Sequence, residues 1–216
     1  MTRETLATVL SVEGAATVSL DGGQIFSPLL AGAHPGKRNL IQTSASSRAS
    51  IALLPNILLQ LEPDTRLEIM RIAMTKDGNE TGDSIRGRYA GVKLLSGRLV
   101  ASHVWGEANA DFTIETPNGG LVAKSNCLFS LQVDEHATRL TCASGTVGFA
   151  PRKGGAVVAI APGFIGEWSA NSTSLIPGES EARGQKDLEE ALAIEQKLRA
   201  LSAPISHAPP ALQKAK

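Results

Sequence analysis

Two cysteines, four histidines and a few adjacent carboxylates are the residues of this chain whose types could do chemistry. Both cysteines fall in one stretch, "CLFSLQVDEHATRLTC", as Cys127 and Cys142. A reactive thiolate needs a cation or a helix N-terminus to lower its pKa. No Lys, Arg or His lies beside either cysteine on the same face of its own run. The histidines, His34, His103, His136 and His207, have no second His two or four residues on and no cysteine at ligand spacing. Metal tetrahedra are built from such pairs, so no metal site is expected. His34 and His136 read as turn residues, His207 as part of a tail, and His103 as a strand residue. Asp134-Glu135 sits at a hairpin tip, and Glu189-Glu190 lies on a helix where neighbours diverge by about 100°. Neither pair shares a pocket, and both read as solubilising. A nucleophile elbow and a phosphate-cradling loop are both missing from the sequence. The expectation is a non-enzymatic chain with no catalytic residue and no cofactor.

The cysteines are then read as part of a wall. Cys127, Phe129, Leu131 and Val133 share one strand face, and Thr138, Leu140 and Cys142 share one face of the next. A two-residue turn at Asp134-Glu135 would pair Cys127 with Cys142 directly. A four-residue turn from Asp134 to Ala137 would pair Leu131 with Leu140 and leave the cysteines out of register. Both registers keep the sulfurs on the core side, because the shift is two residues along the strand. Packing as small hydrophobes is the first reading. A structural disulfide between Cys127 and Cys142 is the alternative, adding about 3 kcal/mol for a loop of this length.

The elements that must position these residues are strands. Ile51 and Leu53 share a face, as do Ile57, Leu59 and Leu61, and Phe112 and Ile114 alternate with Thr113 and Glu115. Period-two patterning marks strands with one dry and one wet face. Turn signals such as Asp21-Gly22-Gly23, Pro35-Gly36, Pro55-Asn56, Asn118-Gly119 and Pro162-Gly163 recur through the chain. Short strands at such spacing predict an all-β fold, an antiparallel-rich β-sandwich or β-roll. "EGAATVSL", "SGRLVASH" and "SGTVGFAP" each place a glycine before a strand, at uneven intervals, which reads as ordinary tight turns. Residues 75 to 91, "TKDGNETGDSIRGRYAG", are polar and Gly-rich and read as a long loop.

Composition narrows function further. The 216 residues are 42% hydrophobic with eight aromatics, and 21 Lys and Arg balance 21 Asp and Glu. A neutral chain with one Tyr has neither the basic surface nor the stacking residues of a nucleic-acid binder. The richest apolar stretch, "IALLPNILLQL", is broken by Pro55 and Asn56 and is too short to span a bilayer. The start, "MTRETLATVLSVEG", lacks a signal-peptide h-region, which reads as cytoplasmic if that start is native. Asn79 and Asn171 head sequons that matter only in a glycosylating host. Trp105 and Trp168 could form a sugar platform if they shared an open face; core packing is the simpler role.

Composition shifts near Ser174. In "QKDLEEALAIEQKLRALS", Leu188, Leu192, Ile194, Leu198 and Leu201 fall near one stripe. The expected organisation is a β domain over 1–173, a linker over 174–183, an amphipathic C-terminal α-helix over 184–201 and a disordered tail over 202–216. A helix of this length is marginal alone in water, so it docks on the β domain or on a partner.

The order of these motifs resembles the FecR-like domain family. In "PGKRNLIQTSASSRASIALLPNILLQLEPDTRLEI", Gly36, Thr43, Ser47, Arg48, Ala49, Pro63, Thr65 and Leu67 fit its first half. "LLSGRLVA", "FTIETPNG", "FSLQV" and "SGTVGF" are similar to its second half, and the match runs over about residues 10 to 169. One departure is that the family commonly carries Gly-Thr ahead of the Phe of a strand where this chain has Asn126 and Cys127. The resemblance implies a non-enzymatic, periplasmic or extracytoplasmic bacterial β module in envelope signalling. It implies a protein partner, recruited by edge-strand addition or through the helix, and no nucleic acid. The rival expectation is a structural or assembly component of an envelope or appendage.

Overall fold

The computed structural model describes residues 2–20, 22–76, 85–104, 109–123, 125–152, 154, 156–169, 172–178 and 181–206, the side chains of 109–110 and 203–206 excepted. The chain is essentially all-β with a single C-terminal helix, as the alternation predicts.

One 19-residue strand, β9 (Ile85–His103), organises the rest. Its first half pairs antiparallel with β8 (Arg66–Lys76) and parallel with β10 (Asn109–Thr116). Its second half pairs antiparallel with β7 (Ile57–Leu61) and β12 (Cys127–Val133). Two sheets therefore share β9. In the first, β1 (Thr2–Glu4) and β5 (Leu40–Thr43) line the far edge of β8, and β3 (Ala16–Ser19) and β4 (Phe26–Pro28) follow β5. On its other side β11 (Gly119–Ala123), β14 (Val147–Pro151) and β15 (Val158–Ile160) follow β10. The second sheet starts at β2 (Thr8–Glu13) and β6 (Arg48–Leu54), then β7 and β9. It continues through β12, β13 (Ala137–Ser144) and β16 (Phe164–Ser169) to β17 (Thr173–Pro177). The helix, α1 (Ala182–Ser206), lies on the outer face of this second sheet against β7, β9, β12 and β13.

The passage of β9 from one sheet to the other sets its local chemistry. Gly97 stands there with φ of +91°, and a Cβ on it would lie 2.5 Å from the Thr65 Cα. Only glycine adopts that φ without strain and admits that approach. The Thr65 hydroxyl fixes the same point, donating to the Arg98 carbonyl at 2.9 Å and accepting from the Arg98 N–H at 3.1 Å. The glycines of the other two similar stretches, Gly14 and Gly145, also have positive φ, 78° and 72°. Each abuts another segment: Ser47 for Gly14, and Asn126 for Gly145.

Inward side chains of both sheets form one core, including Ile51, Leu59, Leu61, Ile69, Val92, Phe112, Phe129, Leu131, Phe149 and Trp168. No residue of α1 belongs to it. The helix instead covers two small satellites, one of Ala52, Leu58 and Leu198, the other of Val100, Leu128 and Ala191, with Ile194 against both. This cover explains why the run from Ile51 to Leu61 is apolar almost throughout. Ile51, Leu59 and Leu61 face the core, whereas Ala52 and Leu58 face α1.

Four expectations are corrected. The stretch 75–91 is not one long loop: β8 extends to Lys76 and β9 begins at Ile85, leaving 77–84 outside the described residues. The segment 174–183 is not a linker throughout, since β17 occupies Thr173–Pro177 and α1 starts at Ala182. The helix runs beyond 201 to Ser206, so 202–206 is not tail, and 207–216 lie outside the described residues. The apolar stripe is also misplaced. Leu192 is 50% exposed, and the buried face carries Gly184, Asp187, Ala191, Leu198 and Ser202. A period count weighs only apolar residues and misses a helix face buried through charges.

Candidate functional site

The outer face of the second sheet, under α1, concentrates the polar chemistry of the molecule. Arg98 is held by Asp187 at 3.2 Å and Glu190 at 2.6 Å, and its Nε donates to the Ser130 hydroxyl at 2.9 Å. On β13, Arg139 meets Glu181 at 2.7 Å, Glu167 at 3.4 Å and Asp187 at 3.9 Å. Its side chain is only 10% exposed, and that of Asp187 11%. The Thr141 hydroxyl donates to Asp187 at 3.4 Å, and the Ser102 hydroxyl to Glu195 at 3.1 Å. Lys197 on α1 pairs with Glu13 on β2. The helix thus presents carboxylates to arginines on the strands. At its N-terminal end Gly184 admits a close approach, since a Cβ there would lie 2.4 Å from the Ile165 side chain.

Where the helix leaves the edge of the sheet, a cleft of about 380 Å³ opens, lined by Glu13, Arg48, Glu62, Arg98, Glu190 and Lys197 among others. Its charges pair within it: Arg48 with Glu62 at 2.9 Å, Arg98 with Glu190, Lys197 with Glu13. The Lys197 ammonium holds the Glu13 carboxyl below its usual range. Burial works against the Glu190 carboxylate, but Arg98 and Lys186 together hold its pKa down. The sequence pattern reads Glu189-Glu190 as a solvated pair. Glu190 is instead a partner of Arg98, and only the fold brings these two together.

The two ends of this sheet differ. At one end, backbone bonds from the segment after β4 occupy β2: Ala7 N–H to Pro35 at 2.9 Å, Val9 N–H to Ala33 at 2.9 Å, Gly32 N–H to Val9 at 2.8 Å. At the other end β17 pairs with β16 and with no further strand among the described residues. Its residues carry no charge, Leu175 is 47% exposed, and Phe164, opposite Pro177 on β16, is 36% exposed.

The cysteine hairpin takes the four-residue turn. Leu131 pairs with Leu140, Phe129 with Cys142, and a bulge follows at Leu128/Phe129. The Asp134 carboxylate accepts from the His136 and Ala137 N–H groups at 2.8 Å each, which pulls its pKa down and closes the turn. Both cysteines are buried free thiols in the core. Burial pushes Cys127 up to about 12 and Cys142 up to about 11. His103 lies opposite Cys127 across the β9–β12 ladder, a neighbour the sequence did not reveal. Burial depresses its pKa against a hydrogen bond with the Ser125 backbone, so it supplies no standing positive charge to the thiol.

Other expected residues are dispersed. His34 bonds the Ala7 carbonyl at 3.2 Å. Trp168 is buried and stacked on Phe149 at 3.7 Å, which removes it from a sugar platform. Trp105, His207, Asn79 and Asn171 lie outside the described residues. No cluster of three metal-ligating side chains occurs among the described residues. No described helix is long and apolar enough to cross a membrane.

The residues that suggested a family act as latches. Ser47 accepts from the Ala15 N–H at 2.8 Å. Thr43 donates to the Glu62 carbonyl at 2.6 Å and accepts from the Thr65 N–H at 2.9 Å. The departure at Asn126-Cys127 does not loosen the backbone there, because Gly145 supplies the clearance: a Cβ on it would lie 1.8 Å from the Asn126 carbonyl oxygen.

The unit latched in this way is an all-β domain carrying a single docked helix. The family model for FecR protein matches residues 39–148, just over half of the chain, and the chain belongs to that family. Membership supports a regulatory signalling role in a family that usually faces the extracytoplasmic side. No curated protein matches the sequence. Two solved structures of a protein provisionally assigned as an anti-sigma factor, from Parabacteroides distasonis ATCC 8503, are similar. One has 12% identity and a TM-score of 0.44, the other 11% and 0.45. Each match covers 63% of this chain and 57% of the other, so the chain spans somewhat over half the length of those relatives.

Proposed function

We propose that this chain is a non-enzymatic protein-binding module of bacterial envelope regulation, and that it recruits its partner by strand addition at β17. The observation that carries this reading is the contrast between the two ends of the helix-bearing sheet. The β2 end is occupied by the chain's own backbone, whereas β17 pairs with no strand but β16 among the described residues and carries no charged side chain. Natural sheets protect such edges with charge, Pro, bulges or covers, and on β17 the one such residue is Pro177 at its C-terminal end. An extended peptide added there gains main-chain hydrogen bonds, and Leu175 with Phe164 gives an apolar contact beside it.

Placing a lysine on the edge tests this. Leu175→Lys substitutes an exposed side chain and leaves the core intact. The wild-type chain, used as bait in a bacterial envelope extract, is expected to retain a specific protein that the variant loses, with the two melting temperatures within about 2 °C, a shift of no more than about 1 kcal/mol. Equal capture by both chains would overturn the edge-strand reading.

A further inference from the structure

We infer that α1 is an exchangeable occupant of the second sheet, and that the face beneath it is built to receive an acidic amphipathic helix of a partner. This deepens the protein-binding reading above and rests on it. Three observations carry it. First, the main core contains no residue of α1, so the helix can leave without opening that core. Second, its apolar contacts are few, centred on Ala191, Ile194 and Leu198 over two satellite clusters. Third, much of the interface is ionic. Arg98 and Arg139 on the strands meet Glu181, Asp187 and Glu190 on the helix side, and Ser102 adds a hydrogen bond to Glu195.

Partly buried ion pairs nearly break even against hydration, whereas removing one partner alone leaves a charge stranded. The face therefore does not favour being bare. It favours some helix with carboxylates in register, and α1 is the copy carried in cis. The receptor chemistry is specific. Two arginines lie on strands 98 and 139 residues along the chain, one on each side of Asp187, with Ala52, Leu58, Val100 and Leu128 as an apolar floor. A competing helix needs an acidic residue at the Asp187 position, another three residues later, and small or aliphatic residues four, seven and eleven positions on. That is the order Asp187, Glu190, Ala191, Ile194, Leu198 in α1. The family match, residues 39–148, also stops short of the helix.

The test uses the full chain and a labelled synthetic peptide spanning residues 181–206. In the variant Asp187→Lys/Glu190→Lys, the helix in cis faces Arg98 and Arg139 with like charge and is loosened. The expected result is that this variant binds the wild-type peptide at least tenfold tighter than the wild-type chain does, by fluorescence anisotropy. A peptide carrying the same two lysines should not bind, and the strand signal in circular dichroism should be kept. Peptide binding no tighter than to wild type would overturn the inference. So would loss of the strand signal or of a cooperative melt, since α1 would then be an integral part of the fold. Partner capture at β17 is read separately with Leu175→Lys, so a failure there leaves the peptide result standing and the reverse also holds.

Discussion

Arg98 and Glu190 stand 92 positions apart in the chain and are joined at 2.6 Å, Nη1 to Oε2. The same guanidinium reaches Asp187, so one strand residue anchors two acidic positions of the helix three residues apart. Replacing Arg98 by Met keeps the aliphatic volume and takes the nearer cation from both carboxylates, leaving Asp187 with Arg139 at 3.9 Å and Glu190 with Lys186 at 3.7 Å. The Arg98 side chain is 20% exposed and Glu190 37%, so water softens the penalty. The expected loss is about 1 to 3 kcal/mol in urea denaturation. Adding Glu190→Gln to Arg98→Met should cost less than the sum of the two single changes, the signature of a shared interaction.

Gly97 supplies a second expectation. Its φ of +91° and the 2.5 Å approach to Thr65 leave no room for a methyl group. Gly97→Ala should cost at least about 2 kcal/mol, from left-handed strain plus displacement of the Thr65 turn. Gly120 on β11 is the control, because a Cβ there meets nothing within 4 Å. Gly120→Ala should shift the melting temperature by no more than about 2 °C. Equal shifts for both substitutions would show that the β9 crossing does not depend on glycine.

Strands and hairpins were legible because alternation survives wherever one face is wet. Phe129, Leu131 and Val133 reached the core as their spacing implies. The cysteine hairpin was legible only to a choice of two registers, which its turn chemistry at Asp134 decides in the fold. The division of β9 between two sheets was not legible. A 19-residue strand reads as one alternating run, and nothing local announces that its partners change at Gly97. The helix face is hidden from the sequence for a related reason. Asp187 looks like a solvent residue until Arg98 and Arg139, far away in sequence, are brought beneath it.

The thiols give a third test. Cys127, raised to about 12, and Cys142, raised to about 11, are almost wholly protonated at pH 8 and shielded from solvent. A thiol-specific disulfide reagent should react with neither within minutes in the folded chain, and with both at once in denaturant without reductant. Fewer than two equivalents in denaturant would reveal a bridge. Cys142→Ser, which places a hydroxyl in the core, should destabilise by about 1 to 3 kcal/mol.

His103 sets an expected pH dependence. It is 1% exposed, beside the Phe112 ring at 6.1 Å between centroids, and burial lowers its pKa from the ordinary 6.5. The unfolded chain therefore binds a proton on His103 at a pH where the folded chain does not. Where the unfolded state binds more protons, stability rises with pH. The contribution is fully present above pH 6.5 and is lost as pH falls from 6.5 toward the depressed folded value. Carboxylates such as Glu13, Glu190 and Asp134, also held low, act in a separate window below their ordinary pKa values of 4.5, 4.5 and 3.8. Urea denaturation between pH 5 and 7.5 isolates the histidine. Wild type should lose stability on acidification across that range, at up to about 1.4 kcal/mol per pH unit. His103→Leu should flatten the curve there, whatever its absolute stability. A slope unchanged by the substitution would assign the proton uptake to another group.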